Sequence, residues 1–157
     1  MSGSGRTVIV LRPGEGRSIE LGGFAMCVKA SASDTDGAFS LLEASEPPGF
    51  GPPLHIHHDA AESFYVLSGE YRIFVRDQDW VCPAGSFVHI PVGIPHGFRV
   101  GDMASSKLNF YTPAAMVGYF DDLSGALEAG DADPDALQDI AVRHSMEIIG
   151  PVPEGYL

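Results

Sequence analysis

Apolar and polar residues alternate along short segments through the first two thirds of the chain. Tyr71, Ile73 and Val75 occupy alternate positions, which indicates a strand that buries one face. Turn residues separate such segments roughly every 8–12 residues, a spacing typical of sandwiches and barrels of antiparallel strands. The predicted strands are residues 7–11, 24–30, 38–46, 63–67, 71–76, 80–82, 87–91, 96–100 and 106–111.

A helical pattern replaces the β pattern after residue 112. Thr112 followed by Pro113 predicts a helix start, because threonine is a good N-cap and proline fits the first turn. Gly130 predicts the end of this helix, and Asp133 followed by Pro134 predicts a second one. Apolar residues recur at spacings of three and four, at Met116, Phe120, Leu123, Leu127, Leu137, Ile140 and Ala141.

The length of 157 residues favours one domain with a full hydrophobic core. We predict an all-β domain in which the barrel covers about residues 6–112. A helical C-terminal extension then covers residues 113–157, and its apolar tail, 146–157, is expected to pack back on the barrel.

The composition excludes several classes of partner. Lysine and arginine total 9 against 21 aspartate and glutamate residues, which gives a net charge of −12. Such acidity disfavours nucleic acid and anionic membrane surfaces. No apolar run reaches the ~20 residues of a membrane-spanning helix, and the first residues do not follow the design of a signal peptide. With only Cys27 and Cys82, we expect two buried thiols and a cytoplasmic location.

Three histidines and one glutamate are candidate metal ligands. His55 and His57 are two residues apart, so both imidazoles project from the same face of a strand and His58 points the other way. Glu62 follows beyond a short turn, and His96 lies in a second β segment. Three imidazoles and a carboxylate are a side-chain set that holds a divalent transition metal with coordination positions left open.

The remaining histidines are not expected to be ligands. His89 could face the same cavity and donate a hydrogen bond to a ligand. His144 lies at the end of the second predicted helix, where a structural or exposed position is expected.

The chain resembles the cupin superfamily in two motifs. The first family motif is a glycine, five residues, HxH, three or four residues, glutamate, six residues and glycine. The second is a glycine, five residues, PxG, two residues, histidine, three residues and asparagine. The chain matches these motifs at Gly49, His55, His57, Glu62, Gly69, Gly85, Pro91, Gly93 and His96, and has Val100 where the family often has asparagine.

This resemblance implies the double-stranded β-helix, or jelly-roll barrel, of the cupins. It also implies that His55, His57, Glu62 and His96 bind one divalent transition metal ion per chain. Val100 occupies a position that is not a ligand, so the departure leaves the implied site intact. The metal stays open among Fe, Mn, Ni, Co, Cu and Zn, because affinity order and cellular supply both decide occupancy.

The first motif and the helical tail resemble quercetin dioxygenase-like cupins in particular. The leading interpretation is an oxidoreductase, a dioxygenase acting on an enolisable or phenolic, flavonol-like small molecule. Glu62 would be both ligand and general base. The apolar walls of the substrate pocket are expected to be Phe64, Phe74, Phe98 and Tyr111.

Two alternatives use the same ligands. One is a metal-dependent isomerase, decarboxylase or cyclase that needs no O₂. The other is a metal or small-ligand binding protein without turnover, which predicts a closed metal site and no productive pocket. A homodimer is also expected, because exposed barrel strands such as residues 7–11 would offer edges for pairing.

Overall fold

The computed structural model describes residues 7–153. This part of the chain forms eleven strands and two helices. The strands are β1 (Arg17–Glu20), β2 (Ala25–Ala30), β3 (Ser40–Glu46), β4 (Leu54–His57), β5 (Ala61–Ser68), β6 (Glu70–Val75), β7 (Gln78–Pro83), β8 (Phe87–Ile90), β9 (His96–Val100), β10 (Ser105–Thr112) and β11 (Met146–Gly150). The helices are α1 (Val117–Ala129) and α2 (Pro134–Arg143).

The strands form two antiparallel sheets. One has six strands in the order β1-β2-β3-β10-β5-β8, and the other has five in the order β11-β4-β9-β6-β7. Because β10 lies between β3 and β5, its residues at alternate positions face the interior along the middle of the larger sheet. The predicted all-β architecture with C-terminal helices is confirmed.

Alternation along the strands builds the core. On β6, Tyr71 and Ile73 are buried while their neighbour Arg72 is exposed. They join a first cluster of packed side chains, made up of Phe64, Val66, Tyr71, Ile73, Cys82, Phe98 and Val100. A second cluster lies under the helices and includes Leu42, Ala44, Tyr111, Met116, Ala141 and Met146. The barrel interior is therefore filled by apolar side chains on both sides of the polar residues described below.

The turn between β5 and β6 requires a glycine. Gly69 has φ +73°, a left-handed conformation that side chains rarely adopt. A Cβ atom at this position would also overlap Ser105 on β10. Gly69 is the last residue of the first sequence motif, so the motif includes a position that the backbone geometry itself requires.

Two sequence-based expectations are wrong at the ends of the barrel. Residues 7–11 form no strand, and the side chains of Val8 and Val10 are exposed. The first helix begins at Val117 rather than at Pro113. Thr112 still pairs with Ala61 in the sheet and is therefore not available as an N-cap.

The other helix boundaries agree with the predicted signals. Gly130 caps the C-terminus of α1 in the left-handed conformation, and its N–H donates to carbonyls of the last turn. Asp133 caps α2, where its carboxylate accepts a hydrogen bond of 2.9 Å from the backbone N–H of Ala136. Within residues 7–153, neither helix has the length and apolar character needed to cross a lipid bilayer.

The C-terminal extension is not wholly helical. Its last described element, β11, pairs antiparallel with β4, so that Met146 is opposite His57 and Ile148 is opposite His55. For the described part of the tail, the expectation that it packs on the barrel is met by this backbone pairing, and residues 154–157 lie outside the described residues. Pairing along β4 supports the strand that carries two of the candidate metal ligands.

Candidate metal centre

Three strands bring the four candidate ligands together. His55 and His57 are on β4, Glu62 is near the start of β5, and His96 begins β9. His55 and His96 are direct partners in the pairing of β4 with β9. One ligand atom from each of the four side chains lies within 4.8 Å of the ligand atoms of the other three. The predicted convergence on one point is therefore present in the fold.

Backbone carbonyls orient two of the imidazoles. His55 Nδ1 is 2.8 Å from the carbonyl oxygen of Pro53, and His96 Nδ1 is 2.8 Å from that of Ile94. A carbonyl oxygen only accepts, so each Nδ1 donates and each Nε2 keeps its lone pair. This is the usual arrangement for a metal-binding histidine, in which one ring nitrogen is held and the other is left to bind.

Several polar atoms at the centre are buried and have no hydrogen-bond partner in the part of the chain that the structure describes. They are His57 Nδ1, His57 Nε2, Glu62 Oε2 and His96 Nε2. Glu62 Oε2 lies 2.5 Å from His57 Nε2 and 3.5 Å from His96 Nε2, but neither contact has the alignment of a hydrogen bond. Buried polar atoms without partners are costly, and a shared cation would satisfy all three converging atoms.

The pKa shifts show that the site favours a cation. Burial alone would raise the pKa of Glu62, but the neighbouring His57 and His96 outweigh it and hold that pKa well below its usual value. Burial alone would lower the pKa of His96, but the Glu62 carboxylate raises it above its ordinary value. A metal ion would take the place of the proton that this carboxylate attracts.

His55 is held neutral, as a metal ligand must be. Burial, followed by the charges of His96 and His57, lowers its pKa to about 3. A neutral imidazole presents its lone pair at any pH near neutrality. The buried set of three histidines and one glutamate therefore fits a single metal ion.

A cavity of about 330 Å³ opens directly onto this site. His55 and Glu62 line its floor. Its walls are mainly apolar and come from the barrel, from α1 and from β11, at Phe24, Met26, Phe50, Phe98, Tyr119, Phe120, Leu123 and Ile148. A volume near 300 Å³ is within the usual range for small-molecule sites. The metal site is thus accessible to a molecule with a sizeable apolar part.

The sequence model described as "Cupin domain" matches residues 42–106, a range that contains all four candidate ligands. The barrel and the ligand geometry agree with this match. Residues 42–106 form a cupin domain.

A curated relative supports the assignment. The chain is 24% identical over 147 residues to a quercetin 2,3-dioxygenase from Bacillus subtilis (strain 168). The alignment includes 92% of this cupin but only 44% of the relative. This cupin therefore spans less than half the length of the curated protein that it matches.

Solved structures share the fold. A predicted oxalate decarboxylase from Thermotoga maritima has a TM-score of 0.61 and 21% identity, and the match covers 67% of this cupin and 99% of that chain. The polyketide cyclase RemF from Streptomyces resistomycificus has a TM-score of 0.58 and 22% identity, with 68% and 80% covered. These similarities confirm the predicted double-stranded β-helix fold. They do not assign an activity, because proteins with different activities share one fold.

The four aromatic residues expected to form the pocket occupy different places. Phe98 and Tyr111 line the cavity. Phe64 is not among the lining residues, because it is fully buried in the first core cluster behind the cavity. Phe74 is also absent from the lining, because it alternates with Ile73 on β6 and faces outward, where the Arg99 guanidinium lies 5.7 Å from the ring centre.

The other histidines are outside the metal centre. His58 is exposed and lies 3.0 Å from a Glu147 carboxylate oxygen, as its position on the opposite face of the strand predicted. His89 does not face the cavity, because it pairs with Ser63 on the outer side of the larger sheet and hydrogen-bonds to the Ser63 hydroxyl at 2.9 Å. His144 Nε2 is 2.7 Å from Asp122 Oδ2 and joins the two helices, a structural position.

Three polar cavity residues were missed in the sequence. Lys107 and Asn109 are on β10 together with Tyr111, and Glu46 ends the neighbouring strand β3. A usable signal was present, since residues two and four positions before Tyr111 on a strand must share its face. The contribution of α1 to the cavity wall had no such signal.

Proposed function

We propose that this cupin is a metal-dependent dioxygenase that acts on an enolisable or phenolic, flavonol-like small molecule. One observation carries the proposal: a buried metal-binding set opens onto an apolar cavity of about 330 Å³. The similarity to quercetin 2,3-dioxygenase along most of this chain supports the choice of reaction. The cavity argues against a closed site that only stores a metal.

His55, His57, Glu62 and His96 would hold the ion. A divalent transition metal there would supply a Lewis acid for a substrate oxygen and, if redox-active, a centre for reaction with O₂. Glu62 has a lowered pKa and is ionised, so its carboxylate is a weak base that would accept the proton of a substrate hydroxyl group once a Lewis acid had made that proton more acidic. Loss of that proton leaves an electron-rich enolate, the form of the substrate that O₂ oxidises, and both oxygen atoms enter the product.

The walls would orient the substrate and exclude water. Phe98 and Tyr111 project from the two sheets, and Phe120 from α1 contributes the facing side. Apolar side chains give a ring system contact area without competing for its oxygens. Exclusion of water also strengthens the electrostatic contact between Glu62 and a hydroxyl proton.

The test is O₂ consumption by protein loaded separately with each candidate metal. We expect uptake with a flavonol and none with the matching flavone, which lacks the enolic hydroxyl group. Glu62→Gln should abolish uptake, whereas His58→Ala, which changes an exposed histidine on the opposite face, should leave it unchanged. Absence of uptake with flavonols and simpler enediols for every metal would overturn the proposal. Turnover of such substrates without O₂ would instead identify an isomerase, decarboxylase or cyclase, and binding without turnover a non-catalytic protein.

A further inference from the structure

Asn109 is a buried polar residue whose side-chain acceptor is left unsatisfied. Its side chain is 3% exposed and lines the cavity beside the metal centre. Within residues 7–153, its Oδ1 atom has no hydrogen-bond partner. Native interiors rarely leave such an atom alone, because an unpaired buried acceptor has lost its water without gaining a replacement.

The neighbours of Asn109 offer no partner. In the sheet, its direct cross-strand partners are Leu42 on β3 and Phe64 on β5, and both side chains are apolar. Tyr111, two residues further along the same face, is opposite Glu62. The Asn109 side chain therefore lies between apolar cross-strand neighbours in the wall of the cavity.

The adjacent lysine is already neutralised. Lys107 Nζ is 2.7 Å from Glu46 Oε1, and the Tyr71 hydroxyl donates to the same oxygen at 3.0 Å. Lys107 also lies 4.2 Å from the centre of the Phe98 ring. The charges of Lys107 and Glu46 cancel, so this part of the cavity does not favour an anionic group. A neutral hydroxyl or carbonyl group suits the Asn109 amide, which offers both an acceptor and a donor.

We propose that Asn109 is a substrate-positioning residue that hydrogen-bonds a second, neutral oxygen of the substrate. Residues two apart on a strand are separated by roughly 7 Å, so this second oxygen lies about that far from the end of the substrate held near Glu62 and Tyr111. The inference rests on the proposed function and narrows its substrate class. The substrate is an apolar ring compound with one oxygen at the metal centre and another at Asn109.

The first test measures anaerobic binding of flavonols that share the enolic hydroxyl group and differ in one additional hydroxyl. The probes are titrated by absorbance into metal-loaded wild type, Asn109→Leu and Asn109→Ala. Both substitutions should weaken binding of one hydroxylated flavonol by about tenfold, the loss of one hydrogen bond, and leave the parent flavonol unaffected. Ser106→Ala, which changes an outward-facing residue of the same strand, should alter none of these affinities. An equal loss for all probes, or no loss for any, would overturn the inference.

The second test separates substrate positioning from a structural role. Leucine has the branched outline of asparagine but is larger, so Asn109→Leu replaces an unsatisfied amide with an apolar group that can extend into the adjoining cavity. We expect the metal-free variant to melt at the same temperature as wild type or a few degrees higher. A lower melting temperature would show that Asn109 supports the fold.

The two proposals can fail separately. If no flavonol is oxidised but Asn109→Leu still discriminates between the probes, the dioxygenase proposal fails and the role of Asn109 stands. If flavonols are oxidised but Asn109→Leu binds and oxidises every probe as wild type does, the role of Asn109 fails and the dioxygenase proposal stands.

Discussion

Two regions of this cupin differ sharply in how tightly they are packed. The packed region consists of Phe64, Val66, Tyr71, Ile73 and Val100, each at most 1% exposed. The helical cover is α1, residues 117–129, which has no buried residue although its aromatic and leucine side chains face the cavity. Tight packing on strands holds the ligands and the polar network in place, whereas the cover leaves space for a molecule beside them.

The helical cover is attached through partly buried apolar side chains and through exposed ion pairs. The apolar side chains that pack against the second core cluster are Val117, Tyr119, Phe120 and Leu123. Arg17 on β1 donates two hydrogen bonds to Asp121, at 2.7 and 3.0 Å. On the next residue, Asp122 Oδ2 lies 2.7 Å from His144 Nε2 and 3.4 Å from an Arg143 guanidinium nitrogen. Exposed pairs of this kind contribute about 0–1 kcal/mol each. These ion pairs therefore add little to the attachment of the cover, which depends mainly on its partly buried apolar contacts.

The largest expected effect comes from removing a ligand held by the strands. His96→Ala should lose bound metal, with a loss of affinity beyond the ~10–100-fold that removing an outer hydrogen-bond partner costs. Elemental analysis after dialysis measures this, and His58→Ala is the matched control because His58 is exposed and faces away. Equal metal content in the two variants would refute the metal centre.

The buried ion pair between Lys107 and Glu46 tests how much an unpaired charge in the interior destabilises the protein. Lys107→Met leaves Glu46 charged and buried, and Glu46→Gln leaves Lys107 in the same state, so each should destabilise the protein by about 3–5 kcal/mol. The double variant Glu46→Leu/Lys107→Met should lose less than either single one, because no unpaired charge remains. Urea unfolding measures these changes. Single-variant losses below ~1 kcal/mol would mean that the pair behaves as if exposed to solvent.

A matched pair of phenylalanine truncations compares the two regions directly. Phe64→Ala in the packed region should cost about 3–5 kcal/mol, because it leaves a void that close-packed neighbours cannot fill. Phe120→Ala in the helical cover should cost about 1 kcal/mol or less, because this side chain is only half-buried and already borders a cavity. Similar losses of unfolding free energy would show that the cover is packed as tightly as the barrel.

The smallest effect concerns the polar attachment of the cover. The hydrogen bond from His144 lowers the pKa of Asp122, and the charge of Arg143 adds to this shift. Since the folded pKa is below the ordinary 3.8, this stabilisation is present above about pH 4 and is lost as pH falls through the folded pKa. Asp122→Asn should remove this pH dependence and speed amide hydrogen exchange in α1 at neutral pH. Exchange in β6 should stay unchanged, and a faster rate there would contradict the separation of the two regions.

The chain itself determined most of the strands, the candidate ligands and two helix boundaries, because each depends on residues close together in sequence. His55 and His57 share a face through the two-residue repeat of a strand, and Gly69 marks a turn that only glycine fits. Asp133 caps its helix through a contact three residues away.

Tertiary structure alone decided what surrounds the metal centre. β11 pairs with β4, and α1 covers the barrel mouth, through contacts between residues far apart in the chain. Alternation shows which residues share a face but not which face borders a cavity, so Phe64 and Phe74 were misplaced and Asn109 was overlooked. Residues 7–11 follow the same rule, because a β-prone sequence forms a strand only where it pairs with another strand, and that pairing is not written in the local sequence.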